Sequence, residues 1–242
     1  MPAFSRAIAQ ATALIHKARS HGPCYVGFSG GKDSLALFHL AHSLYPDIEG
    51  YHFDSGANAP EGYATIKAMR AMGYPIHDIY PQHSIIEMFQ LVGMYGYDGP
   101  NKLPGEWHWK AHDFWDILIA EPARRVAAMG YPVTLLGLRK GESWRRRIIL
   151  GRWGAGHQRK DGQYVYSPLA NWHTQDVFAY CLLHKLPLST IYLDPSVSSY
   201  ERERRRTACI LGDPALDDIS CRLQYEHPDL YRKITEMFPA LA

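Results

Sequence analysis

Residues 24–40, "CYVGFSGGKDSLALFHL", join two apolar runs through a short segment of glycine, serine, lysine and aspartate. The run 24–28 has the length and apolarity of a buried strand, and 33–44, "DSLALFHLAHSL", reads as the helix that follows it. Between them, adjacent Gly30 and Gly31 let the backbone turn sharply and come close to a ligand. A helix opening near Asp33 presents main-chain N–H groups at the positive end of its dipole, which favours a bound anion. Ser29 and Ser34 add hydroxyl donors, and Lys32 adds a point charge. The junction asks for a phosphate.

Better-known phosphate loops do not fit it. The GxxxxGK[ST] pattern needs Ser or Thr after the lysine, where this chain has Asp33, and Val26 stands where its first glycine belongs. The dinucleotide pattern GxGxxG is absent. Gly27-Phe28-Ser29-Gly30-Gly31 does satisfy the GxSxG elbow of serine hydrolases. That elbow normally follows several strands, whereas one helix and one strand precede Ser29.

Working outward, "IEGYHFD" (48–54) reads as a strand ending in Asp54, and "EGYATIKAMRAMG" (61–73) as a helix closed by Gly73. Third and fourth strands are expected at 75–80 and 132–139. Strands and helices alternating at this spacing imply parallel pairing with right-handed crossovers, hence an α/β fold with a sheet covered on both faces. Residues 83–130 read as a helical insertion, two helical patterns around the loop "YDGPNKLPGEW". Beyond Arg152 a short strand and a helix capped by Thr174 are expected. We place a nucleotide-binding domain at 1–195 and a helical C-terminal extension at 196–242.

Composition narrows the class. Of 242 residues, 46% are apolar and 21% charged, which is globular usage, and the net charge of +2 gives weak overall attraction to polyanions. No apolar run approaches the ~18 residues of a membrane span. The N-terminal stretch "MPAFSRAIAQATALIHKARS" lacks the compact core of a signal peptide and reads as a first helix. Cys24, Cys181, Cys209 and Cys221 form no CxxC pair, so reduced thiols and a cytoplasmic location are expected. Positive charge is local, at Arg145, Arg146, Arg147 and Arg152 and again at Arg202, Arg204, Arg205 and Arg206.

The stretch "SGGKDS" (29–34) resembles the PP-loop, or ATP-pyrophosphatase, superfamily, and within it the chain resembles the phosphoadenosine phosphosulfate (PAPS) reductase family. Three further segments carry the likeness: "HFDSGANAPEGY" (52–63), "LLGLRKGESWRR" (135–146) and "VYSPLANWHTQDVFAYCLLHKLPLSTIY" (165–192). It spans roughly residues 20 to 195. The resemblance implies a three-layer α/β/α, Rossmann-like nucleotide α-hydrolase fold that binds an adenine nucleotide at the carboxyl ends of its strands. It implies that Ser29, Gly30, Gly31, Lys32, Asp33 and Ser34 hold phosphate or the sulfate-bearing group, with Asp54 near the nucleotide or its metal. Arg139, Ser143 and Arg146 match the family's Arg…Ser-x-x-Arg positions and would add charge-assisted phosphate contacts. Lys32, Asp33, Arg139 and Arg146 are the expected catalytic set.

The likeness breaks at one point. Reductases of this family use a cysteine in a Glu-Cys-Gly-Leu-His segment, and the nearest stretch here is "DDISCRLQYEHPDLY", where Cys221 follows Ser220. A Cys-Cys pair with a later CxxC is also missing, so no iron–sulfur cluster is expected. The reading that needs no missing residue is attack on the α-phosphate of ATP with Mg2+, giving an adenylylated acceptor and pyrophosphate. The alternatives are reduction of a sulfated adenine nucleotide through Cys209 or Cys221, and a nucleic-acid-binding component with a non-catalytic nucleotide site. The acceptor is open.

Other features have weaker claims. "WRRR" (144–147) and "YERERRR" (200–206), with Trp144, Trp153 and Tyr200, are compatible with a nucleic-acid face or with solvated helix surfaces. His108 and His112 in "HWKAH" have metal-ligand spacing, yet their aromatic neighbours favour a packed lid or a homo-oligomer surface. Cys24 and Cys181 fall on apolar elements and are expected to be inert.

Overall fold

The computed structural model describes residues 3–56, 58–87, 115–193, 224 and 228–237. The chain divides into a first unit, Met1–Phe53, Ala59–Ile79 and Ala123–Ala208, and a second, Asp54–Asn58, Tyr80–Pro122 and Cys209–Ala242.

The first unit is organised by the opening stretch. After α1 (Ala3–Arg19) come β1 (Cys24–Gly27), α2 (Lys32–Leu44), β2 (Glu49–Phe53), α3 (Pro60–Ala71) and β3 (Ile76–Ile79). Then follow α4 (Glu121–Ala128), β4 (Val133–Leu135), α5 (Trp144–Trp153), β5 (Gly156–Gln158), β6 (Tyr164–Tyr166) and α6 (Thr174–Leu183). The sheet order is β3-β2-β1-β4-β6-β5. All neighbours run parallel except β5, which lies antiparallel to β6 at the edge. Tyr25 of β1 stands opposite Glu49 on one side and Thr134 on the other. Successive strands are thus added to one side of β1 and then, from β4, to the other. A crevice opens at such a reversal, at the carboxyl ends of β1 and β4.

Alternation along β1 sends Cys24 and Val26 into one core and Tyr25 into another. The larger core receives Ala11, Ile15 and Ala18 of α1, Leu37 and Phe38 of α2, Ile66 and Met69 of α3, and Val177 and Cys181 of α6. On the opposite face Tyr25, Tyr51 and Ile79 pack with Val126 of α4. Helices therefore flank both faces, the three-layer α/β/α arrangement expected from the strand–helix alternation. Each fully buried Leu, Ile or Phe contributes ~1.5–3 kcal/mol. Helix α3 closes as expected at Gly73 (φ +90°), whose N–H donates to Arg70 O while Tyr74 N–H reaches Met69 O.

Three details differ from the sequence reading. Strand β5 was not foreseen, because "GHQ" has no apolar residue and pairs along one side alone. The basic stretch 144–153 forms a complete helix, α5, capped by Ser143. Helix α6 is capped one residue earlier than expected, by His173, whose N–H is held by Asp176; this leaves the Thr174 hydroxyl for another partner.

In the second unit the turn at Asp54 is followed by Ser84–Glu87, where Ser84 and Glu87 cap each other reciprocally. The unit also contains a π-helical turn (Asp116–Ala120) and helix α7 (Pro228–Met237). His108, His112, the loop 97–107, Arg202 to Arg206, Cys209 and Cys221 lie outside the described residues. Among the described residues no helix is long and apolar enough to cross a membrane.

Candidate functional site

The loop between β1 and α2 takes the turn that its glycines allow. Gly30 has φ +74°, a region other residues avoid, and a Cβ there would stand 2.5 Å from the Gly62 carbonyl oxygen. Gly31 then caps α2 in extended conformation, with Leu35 N–H donating to its carbonyl at 2.9 Å. The Ser34 hydroxyl donates to the same carbonyl at 2.9 Å and lies 3.2 Å from the Ser29 hydroxyl. On the approach side, His52 Nδ1 sits 3.0 Å from the Phe28 carbonyl. The loop is thus braced on both flanks while its first-turn main chain follows the sheet's carboxyl edge.

Behind the loop runs a buried chain of charge. Lys32 is 3% exposed, and its Nζ lies 3.0 Å from Asp33 Oδ2 and 5.2 Å from the centre of the Tyr192 ring. Asp33 Oδ1 accepts from Arg139 Nε at 2.5 Å. Arg139 is 0% exposed, and its Nη1 donates to the Thr174 hydroxyl at 3.1 Å and to the Trp172 carbonyl at 3.4 Å. Two cations thus share one buried carboxylate beside the loop. The approach is possible because Gly137, just past β4, has no side chain: a Cβ there would lie 2.8 Å from the Asp33 carbonyl carbon.

The segment after Arg139 folds around Glu142. Glu142 Oε2 accepts from Arg139 N–H at 3.2 Å and from Arg146 Nη1 at 2.6 Å. The Ser143 hydroxyl accepts from Arg146 N–H at 3.2 Å, capping α5. The β1 and β4 loops are therefore joined through Asp33 and Arg139, with Ser143 and Arg146 following in the second of them. Asp54 immediately follows β2 and belongs to the second unit, where its Oδ1 accepts from Gly56 N–H at 2.9 Å. Sequence reasoning missed Gly137, Glu142, His52, Tyr192 and the real partner of Thr174. All of them stood inside the quoted segments 52–63, 135–146 and 165–192, but nothing in the residues alone showed which groups they meet.

Neither described cysteine is suited to attack. Burial pushes the Cys24 thiol up to about 11, and burial with Asp33 nearby pushes Cys181 up to about 12. Both remain protonated near neutrality. Among the described residues no group of three or more His, Cys, Asp or Glu is arranged to hold a metal ion.

The geometry places a glycine-built turn at the switch point of a mostly parallel sheet, and known proteins resemble the chain that carries it. Residues 23–198 match the phosphoadenosine phosphosulfate reductase domain. The chain belongs to that family, within the PP-loop superfamily. It is 26% identical over 191 residues to the phosphoadenosine 5'-phosphosulfate reductase of Xylella fastidiosa strain M23, covering 75% of this chain and 73% of that one. Its fold is similar to the PAPS reductase of Candida auris in a phosphate complex (TM-score 0.56, 19% identity, 78% of this chain and 86% of that one). It is also similar to the FMN adenylyltransferase of Candida glabrata (TM-score 0.53, 12% identity, 93% of this chain and 81% of that one).

Proposed function

We propose that this chain binds an adenine nucleotide at the crevice beyond β1 and β4 and cleaves ATP between the α and β phosphates, adenylylating an acceptor. Nucleotide binding is the family-level function; the reaction is our reading. The observation that carries it is the buried Lys32–Asp33–Arg139 chain behind the glycine loop, which sets two cations beside the place proposed for the departing pyrophosphate. In the step, an acceptor oxygen or nitrogen attacks the α-phosphorus, the bond to the bridging oxygen breaks, and pyrophosphate takes the electron pair while the acceptor proton passes to water. Such a displacement needs neutralisation of the leaving group rather than a protein nucleophile. The raised pKa values of Cys24 and Cys181 agree with that. The Candida glabrata FMN adenylyltransferase is a protein of this fold captured with FAD and inorganic pyrophosphate, which lends support.

In this reading the main-chain amides of residues 30–34 and the Ser29 and Ser34 hydroxyls hold phosphate. Arg139 acts through Asp33, as a positioning residue, and Glu142 does the same for Arg146. Both Asp33 oxygens are engaged by Lys32 and Arg139, so the described residues offer no protein cage for Mg2+. The ion fits instead as part of the incoming nucleotide, bound chiefly by its phosphates.

The test is AMP and pyrophosphate formation from ATP by the full chain, offered FMN, sulfate and polynucleotide as acceptors. Lys32→Ala should lower turnover by a factor of about 100, with circular dichroism as the folding control. Failure of a folded sample to bind ATP or PAPS in calorimetry overturns the site itself. Sulfite release from PAPS, with a dithiol added as the two-electron reductant, that Cys209→Ser or Cys221→Ser abolishes, with no pyrophosphate from ATP, replaces the reaction by reduction, the activity named for the family's relatives.

A further inference from the structure

Helix α5 buries almost nothing of itself. Leu150 is its one buried residue, while Trp144 is 73% exposed, Trp153 50%, Ile148 47% and Ile149 48%. A helix on a globular surface normally turns such side chains toward the core. Apolar exposure of this kind marks an interaction site.

The charge on the same helix says what kind. From Ser143 to Lys160 the chain carries Arg145, Arg146, Arg147, Arg152, Arg159 and Lys160 and no Asp or Glu, while the whole chain is only +2. The rest of the molecule is therefore net negative. Three of these arginines occupy the first turn of α5, where the helix dipole opposes cations. Local helix stability does not explain that placement. Arg146 is engaged with Glu142 and Arg159 with Asp161, but Arg147 and Arg152 are exposed. The Arg152 guanidinium lies 5.2 Å from the Trp153 ring centre, and Trp153 stacks on His157 of the edge strand β5 at 5.5 Å. The surface thus continues from α5 onto β5.

We infer that the face formed by α5 and β5 binds single-stranded nucleic acid, with Arg145 and Arg152 following the phosphates and Trp153 stacking on a base. At 100° per residue Arg152, Arg145, Ile149, Trp153 and Arg146 fall within about 120° of one another, with basic and apolar side chains interleaved, while Trp144 points to the opposite side of the helix. That interleaving suits a strand presenting phosphate and base in turn. It does not suit a membrane surface, which requires apolar and basic faces to be separate. Docking of a second copy about a two-fold axis would set the arginine cluster against itself, which like-charge repulsion opposes. Base stacking requires unpaired bases, so a single strand is favoured over a duplex.

The experiment is fluorescence anisotropy of the full chain with labelled 20-nucleotide DNA and RNA single strands, and the matching duplexes, between 50 and 200 mM salt and without ATP. Single strands should bind more tightly than duplexes, and affinity should fall with salt. Trp153→Ala should weaken binding about tenfold. Arg145→Ala with Arg152→Ala should flatten the log–log salt dependence by roughly 1.4, about 0.7 for each phosphate no longer neutralised. Absence of binding at 50 mM salt overturns the proposal, as does binding that none of these substitutions weakens. So does a dimer that Trp153→Ala dissociates, or equal capture by anionic vesicles of phosphatidylserine. ATP calorimetry on each variant checks folding and separates this result from the fate of the proposed reaction.

Discussion

Arg139 and Arg147 lie in one short segment and have opposite fates. Arg139 is fully buried, and its guanidinium is engaged by Asp33, Thr174 and the Trp172 carbonyl. Arg147 stands on a helix whose surface is open nearly all round. An arginine is almost never fully buried unless paired, and here the pairing depends on main-chain shape, because Gly137 lets the exit of β4 come against Asp33. Charge turned inward organises the loop. Charge turned outward is available to a ligand. Burial, more than the count of basic residues, separates the two roles.

The largest effect should come from the inward arginine. Arg139→Ala removes one of the two cations paired with the buried Asp33 carboxylate, and breaking such a buried pair costs about 3–5 kcal/mol. Urea unfolding should register a loss of that order, together with loss of nucleotide binding. Arg139→Lys keeps the charge but cannot reach Asp33, Thr174 and Trp172 together, and should fall between the two. A loss under about 1 kcal/mol for Arg139→Ala would mean that this network does not hold the loop.

The two glycine classes extend the contrast. Gly30→Ala meets a positive φ and a backbone oxygen 2.5 Å from the new Cβ, whereas Gly73→Ala meets a positive φ of +90° and open space. The left-handed conformation alone costs about 1–3 kcal/mol. Gly30→Ala should therefore unfold at lower denaturant than Gly73→Ala and also lose affinity for ATP. Gly73→Ala should lose stability alone. Equal affinities for ATP in the two variants would detach the loop from the nucleotide.

Much of this was legible in the residues. Strands β1 to β4, the loop and helix α2 followed from apolar runs punctuated by glycine, because buried parallel strands leave a strong local pattern. That Gly30 and Gly31 form a sharp turn was likewise readable, since few other residues can make it. The pairing of Asp33 with Arg139 was not, because it links distant positions and depends on a close approach that only coordinates reveal. Thr174 was misread as a cap for a related reason: His173 and Thr174 are both plausible at that boundary, and tertiary demand from Arg139 decided between them. Strand β5 escaped because an edge strand with one neighbour needs no apolar pattern.

The smallest effect should come from the outward helix. Trp144 begins α5 and is 73% exposed, so its removal gives up little burial, and alanine is the better helix former. Trp144→Ala and Arg147→Ala should each change unfolding free energy by no more than about 0.5 kcal/mol. Arg147→Ala should lean toward stabilisation, since it removes a cation from the positive end of the helix dipole. Chemical denaturation of the full chain checks both. A loss above about 1 kcal/mol for Trp144→Ala would show that the indole is packed in solution, and α5 would then belong with Arg139 among the elements that hold the protein together rather than among those that meet a partner.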